Sequence, residues 1–324
     1  MKVRTRFAPS PTGYLHVGGL RTALYNYLYA KQHNGQFILR IEDTDQNRLV
    51  KSGTESLINI LKKLNLNFDI GPGKEDSNGP YVQSERLDIY KDYYMQLVKN
   101  KKAYICFDKN NELIPELNFE KAFSRISNEN FVVKLKIKSN EKMIINDLVR
   151  GDIEFDLSLI DDPIIIKSDG YPTYHFASVI DDYLMNISHV IRGEEWISSL
   201  PKHITLYNAF DWTIPKFCHL PLLLNPDKSK LSKRQGDVAV EDFLDNGYLQ
   251  DSLINFVSLL GWHPEYNQEI FSINDLINSF SINRINKSGA IFDREKFDWM
   301  NKEYIKNMDS KTFEDIINQE LLNK

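Results

Sequence analysis

Arg6-Phe7-Ala8-Pro9-Ser10-Pro11-Thr12-Gly13-Tyr14-Leu15-His16-Val17-Gly18-Gly19 reads as a short extended run that ends in a Pro/Gly turn, with a helix opening behind it. A helix that begins near Gly18 leaves its first backbone N–H groups unpaired and carries partial positive charge at that end, so it attracts phosphate. Gly13, Gly18 and Gly19 lack Cβ atoms and let a ligand approach the backbone. His16 stands at the helix mouth, where an imidazole can donate a hydrogen bond to an oxygen on which charge is building. Taken alone, this histidine reads equally well as a surface residue on a turn.

Working outward, residues 3–8 are expected to form a strand, 19–33 a helix, 36–41 a second strand, and 54–64 and 85–100 further helices. Strands alternating with helices imply a parallel sheet, and ligands of such sheets lie beyond the carboxyl ends of the strands, where the quoted stretch falls. Between about 101 and 171 the pattern changes to short β structure, with 131–137 alternating as a strand and 144–155 as further strands around Arg150-Gly151-Asp152. This region reads as an insertion. The α/β pattern returns over 174–182, a strand at 189–192, a helix at 195–210 and a strand-like run at 217–224, and the chain is mainly helical after Arg234. A second marked segment follows the apolar run Leu220 to Leu224: Lys230-Leu231-Ser232-Lys233-Arg234. By itself it is a solvated basic loop, as most charge runs are.

Together the two segments resemble the paired signatures of class I aminoacyl-tRNA synthetases, named HIGH and KMSKS in that family. Gly19 stands where the motif can end in a second histidine, and the glutamate branch commonly has glycine or threonine there. Further stretches resemble glutamyl-tRNA synthetase in particular: Arg40-Ile41-Glu42-Asp43-Thr44-Asp45, Tyr81-Val82-Gln83-Ser84-Glu85-Arg86, Lys167-Ser168-Asp169-Gly170-Tyr171-Pro172-Thr173-Tyr174-His175, Ile191-Arg192-Gly193-Glu194-Glu195-Trp196 and Ile291-Phe292-Asp293. The resemblance covers nearly the whole chain.

It implies an α/β fold: a Rossmann-type parallel sheet over 1–100 and 173–240, an inserted α+β subdomain for the tRNA acceptor end over 101–172, and a helical stem-contact domain over 241–324. It implies a monomeric enzyme that joins L-glutamate to tRNA(Glu) through a glutamyl-adenylate, using ATP and phosphate-bound Mg2+, with no zinc. His16, Lys230, Ser232, Lys233 and Arg234 would act on the triphosphate. Arg6 and Arg192 would face the glutamate side chain, Ser10 and Tyr174 would add hydrogen bonds, and Glu42 would hold the α-amino group. Two guanidinium groups suit a carboxylate and not a neutral amide. Ser178 stands where the family usually has asparagine, and its shorter side chain puts one contact to the amino acid in question. Pro9, Thr12, Gly13, Gly18, Gly19, Glu195, Trp196, Leu222 and Leu223 would line the ATP site, and Asp45 and Arg48 would meet tRNA. The alternatives are a glutamyl-Q tRNA(Asp) synthetase and a catalytically silent tRNA-binding paralogue. Relatives continue into anticodon-binding helical domains, whereas this chain stops at Lys324, so anticodon recognition is expected to be weak or supplied elsewhere.

The whole composition permits this reading without requiring it. At 324 residues the chain has room for two or three compact units, and 42% apolar with 26% charged residues is ordinary for a globular protein. A net charge of −5 does not itself suggest a nucleic-acid partner, although a local basic stripe can bind phosphates on an acidic protein. Cys106 and Cys218 are too few and too far apart for a disulfide scaffold or a four-cysteine zinc site. No apolar run is long enough for a membrane span, and the first motif begins at Arg6, which leads us to expect a cytoplasmic protein.

Overall fold

The computed structural model describes residues 2–50, 52–110, 112–138, 141–231 and 238–322, with side chains to 318. Ser232, Lys233 and Arg234 lie outside the described residues. In chain order the first elements are β1 (Arg4–Phe7), α1 (Val17–Gln32), β2 (Gln36–Leu39), α2 (Gly53–Lys63) and α3 (Leu87–Lys99). Next come β3 (Ala103–Lys109), β4 (Glu112–Glu116), α4 (Phe119–Arg125), β5 (Phe131–Leu135), β6 (Lys142–Asp147), β7 (Gly151–Asp156) and β8 (Ile164–Ile166). These are followed by α5 (Tyr174–Leu184), β9 (His189–Gly193), α6 (Leu200–Ala209), β10 (Lys216–Leu220) and β11 (Leu223–Leu224). The last are α7 (Val240–Asp245), α8 (Gln250–Ser258), α9 (Ile273–Ser279), β12 (Ala290–Ile291), α10 (Arg294–Lys306) and α11 (Ser310–Leu322).

The α/β architecture follows from the alternation in the sequence. β1 pairs with β2 in parallel, Arg6 opposite Ile38, and β9 pairs with β10 in parallel, Arg192 opposite His219. β9 lies beside β1, since Ser188 N donates to Arg4 O at 2.9 Å. The chain leaves β1 through α1 toward β2 on one side, while β9 and β10 extend on the other. The point where the strand order turns is therefore between β1 and β9, the position at which such sheets hold ligands.

Three features depart from the reading by pattern. The run 217–224 is not one strand: it breaks at Pro221, and β11 pairs with β12 from far downstream. Proline has no N–H for a ladder, which turns the chain there. The helix expected over 195–210 begins as a 3-10 segment at Glu194–Ser199 and becomes α-helical only at Leu200, with proline at the second position. The β6–β7 hairpin, drawn from the stretch read as an insertion, pairs with β10 through Asp147 opposite Phe217, whereas β4, β3, β5 and β8 make a separate antiparallel sheet.

Two apolar clusters hold these layers. One joins α1, β1, β2 and α2 to the C-terminal helices, with Val17, Leu20, Leu24, Phe243, Val257 and Phe297 buried. The other joins α3, α5 and α6 to β3, β5 and β10, through Tyr90, Phe107, Phe176 and Phe217. The C-terminal helices are also tied to α1 by polar bonds: Arg21 donates to Leu260 O at 3.1 Å and Tyr25 Oη to Ser258 O at 3.0 Å. Burial pushes the Arg21 pKa down, and nearby Tyr25, Glu195 and Glu194 partly restore it.

Candidate active site

A cleft of about 890 Å³ opens at the carboxyl ends of β1 and β9. Of the residues expected there, Arg6, Pro9, Ser10, Thr12, Gly13, His16, Gly18, Gly19, Glu42, Asp45, Arg48, Tyr174, Arg192, Glu195 and Trp196 line it. Ser178, Leu222, Leu223 and Lys230 are not among its lining residues. Leu222 N–H donates to Glu194 Oε1 at 2.8 Å, next in sequence to the lining residues Gly193 and Glu195.

The mouth of α1 differs from the open, phosphate-seeking terminus that the sequence suggests. Val17 N donates to Val238 O, and Gly18 N donates to His16 Nδ1 at 2.9 Å, so two of the first N–H groups already have partners. His16 is the N-cap, which fixes its ring against the helix start and leaves that ring at the wall of the cleft. The glycines also have reasons other than ligand approach. A Cβ on Gly18 would crowd His16 Nδ1 at 3.2 Å, and Gly13 has φ +129°, a conformation that side chains rarely adopt.

The two arginines of the cleft have different surroundings. Arg6 is 3% exposed and grips Asp182 of α5 with Nε and Nη2, at 3.0 and 3.3 Å. Asp182 also accepts from Arg40 Nη1 at 2.7 Å, and Arg40 Nη2 reaches Glu42 at 2.9 Å. Burial opposes the Asp182 charge, but Arg6 and Arg40 more than offset it and hold the carboxyl below the usual range. Glu42 behaves oppositely: burial raises its pKa despite Arg40. A cation placed against Glu42 in the cleft would supply the missing stabilisation.

Arg192 is 4% exposed, and among the described residues no carboxylate lies within 4.0 Å of it. Its guanidinium donates only to neutral acceptors: His219 Nε2 at 3.0 Å, Tyr174 Oη at 3.0 Å, His203 Nδ1 at 3.3 Å and Trp196 O at 3.4 Å. Tyr174 packs on Trp196 with ring centroids 4.2 Å apart, closing one side of the pocket. A buried guanidinium without a counter-ion, facing a cleft, calls for an anionic ligand.

Ser178 is 1% exposed and its Oγ has no hydrogen-bond partner among the described residues. It sits one turn behind Tyr174 on α5 and is not among the residues lining the cleft.

Pattern reading missed Arg40, Asp182, His203, His219 and Asp147. Arg40 stood inside a quoted motif without a role. The other four were visible only as polar residues in mostly apolar runs, a signal that a buried polar group has a partner but not which one. Among the described residues no three His, Cys, Asp or Glu side chains gather as a metal-ligand set. No helix of the described residues is long and apolar enough to cross a membrane.

Comparison with known proteins gives the family and the fold. The family described as tRNA synthetases class I (E and Q), catalytic domain, matches residues 2–299. The chain is 48% identical to a glutamate–tRNA ligase of Clostridioides difficile, over 98% of this chain and 70% of that protein. It is 50% identical to that of Chloroherpeton thalassium, over 94% of this chain and 66% of that protein. The crystal structure of a glutamate tRNA ligase from Elizabethkingia meningosepticum in complex with its amino acid superposes with a TM-score of 0.91 at 38% identity, covering 96% of this chain and 71% of that one. The chain thus spans about two thirds of the length of such relatives. With a family model matched over nearly the whole length and relatives about half identical, the chain belongs to the class I tRNA synthetases of the glutamate and glutamine group.

Proposed function

We propose that this chain activates L-glutamate with ATP and transfers it to tRNA(Glu). The observation that carries the reading is Arg192, a buried guanidinium in the cleft held, among the described residues, by neutral groups alone. A glutamate side-chain carboxylate would complete its charge, whereas glutamine would leave it unmet. Arg6 adds positive field already shared with Asp182. Glu42, whose carboxylate form burial disfavours, would receive the α-ammonium group.

In this reading an oxygen of the glutamate α-carboxylate attacks the α-phosphorus of ATP, and pyrophosphate leaves. The terminal ribose hydroxyl of tRNA then attacks the acyl carbon, and AMP leaves. The protein supplies position and charge, and no side chain becomes acylated. His16, whose ring is held by its cap bond at the wall of the cleft, is proposed to donate to the triphosphate. Lys230, Ser232, Lys233 and Arg234 are proposed to close over the triphosphate. Magnesium would arrive with those phosphates and neutralise part of their charge. Thr12, Gly13, Glu195 and Trp196 are proposed for the nucleotide, Asp45 and Arg48 for tRNA, and the 101–172 and 241–324 segments for the acceptor end and stem.

The test is pyrophosphate exchange and aminoacylation with glutamate or glutamine, each with tRNA(Glu), tRNA(Gln) and tRNA(Asp) as transcripts and as native RNAs. Glutamate with tRNA(Glu) is expected to react. Charging of native tRNA(Asp) alone would establish the glutamyl-Q alternative, and no exchange with any amino acid would overturn the catalytic reading.

A further inference from the structure

Arginine has only donors, so each ring nitrogen facing Arg192 must present a lone pair. For His219 that nitrogen is Nε2, at 3.0 Å from Arg192 Nε, and its other nitrogen, Nδ1, lies 2.7 Å from Asp147 Oδ2. Asp147 is itself fixed by backbone N–H groups: Val149 and Arg150 donate at 2.9 Å each, and His219 N at 3.1 Å. The His219 proton is therefore on Nδ1, directed at Asp147, and the ring is neutral. For His203 the nitrogen facing Arg192 is Nδ1, and its Nε2 lies 3.2 Å from His175 Nδ1. That ring carries its proton on Nε2. His203 and His219 are 2% and 0% exposed.

We propose that His219 and His203 are positioning residues for Arg192: as neutral acceptors they fix the guanidinium at the end of β9 without neutralising it, and so leave its full charge for an anionic substrate side chain. A carboxylate in either place would hold the arginine as firmly and remove the charge it offers. Asp147 keeps its own negative charge one residue away from Arg192, behind His219, where it sets the tautomer. The same cleft shows the contrasting arrangement in Arg6, whose partner Asp182 is a carboxylate at 3.0 Å. Burial, reinforced for His203 by the Arg192 charge, lowers the pKa values of both histidines, which keeps the rings neutral near pH 7; Asp147 only partly opposes this at His219.

This inference rests on the reading of the cleft as a glutamate site, and the experiment separates the two. Kinetics of pyrophosphate exchange, with tRNA present, are measured for the wild type, His219→Leu, His219→Gln, His203→Asp and His203→Asn. Gln Oε1 and Asn Oδ1 lie close to where imidazole Nε2 and Nδ1 lie, so these variants restore a neutral acceptor. His219→Leu is expected to raise KM for glutamate at least about tenfold, with KM for ATP within about twofold, and His219→Gln to recover most of that loss. His203→Asp is expected to raise it about a hundredfold, and its near-isostere His203→Asn far less. Equal effects of Asp and Asn, or parallel loss of glutamate and ATP binding, would overturn the proposal. Nitrogen-15 spectra of labelled histidines in the wild-type protein test it without any variant: His219 is expected as the neutral Nδ1–H form and His203 as the neutral Nε2–H form at pH 7, and an imidazolium at either site refutes it. A wild type that exchanges with no acidic amino acid would instead refute the substrate reading.

Discussion

Arg192 and Arg6 enter the same cleft from neighbouring strands, yet among the described residues only Arg6 has a carboxylate partner, Asp182. The difference assigns them different work. Arg192→Gln is expected to raise KM for glutamate by about a hundredfold or more and leave KM for ATP within about twofold, because a charge-assisted pair to substrate is lost while the nucleotide contacts remain. Glutamate kinetics within twofold of wild type would remove Arg192 from the pocket. Asp182 stands at the centre of a buried set with Arg6 and Arg40, at 3.0 and 2.7 Å. Asp182→Asn leaves two buried guanidinium groups short of charge, and a loss of about 3–5 kcal/mol in urea unfolding is expected. A change under 1 kcal/mol would show that water or the Glu42 carboxylate compensates. The pairing of Arg6 with Asp182 was not legible in the chain, since the two are 176 residues apart and neither residue names its partner.

At the scale of elements, the loop after β1 is positioned by α2 as well as by its own prolines and glycines. Pro11 O accepts from Val50 N at 3.2 Å, and a Cβ on Gly53, at the start of α2, would come within 2.6 Å of the same oxygen. Gly53→Ala is therefore expected to shift the backbone between Pro9 and Gly13, which lines the cleft. We expect a severalfold rise in KM for ATP together with about 1–3 kcal/mol of destabilisation. A stability loss with unchanged ATP kinetics would mean that α2 gives way and the loop does not. α2 was readable from periodicity because it buries one stripe, Leu57, Ile60 and Leu61, on the first apolar cluster, whereas β1 and β2 each bury three consecutive residues and carry no alternation. The break at Pro221 was readable in principle, since proline interrupts a ladder, but the partner that β11 finds in β12 was not.

At the scale of the whole molecule, folding holds several histidines neutral. Burial, helped by Lys216 and His33, lowers the His189 pKa from the ordinary 6.5 to about 4, and burial with Lys202 and Arg192 does the same for His175. Between those values the unfolded chain binds protons that the fold refuses. Their contribution is thus complete above about pH 6.5 and is lost progressively as pH falls toward 4. Asp182 and Asp147, with pKa values below 3.8, add the same trend only at still lower pH. Unfolding free energy is expected to decline from pH 7 to 5, and His189→Gln to flatten that slope by up to one proton, about 1.4 kcal/mol per pH unit. An identical slope in the variant would show that His189 is already protonated in the fold.

The sequence by itself determined the local elements and the chemical type of the cleft. Helix and strand periods depend on residues three or four and two places apart, and the strand–turn–helix after Arg6 needs only neighbouring residues. Tertiary structure alone decided which charges cancel. Asp182 reaches back to Arg6 across most of the chain, and Asp147, from the β6–β7 hairpin, meets His219 on β10, which in turn meets Arg192 on β9. An ion pair or hydrogen bond requires approach to within about 3 Å. Only the assembled sheet fixes which buried polar groups come that close, and so which arginine keeps its charge for a ligand.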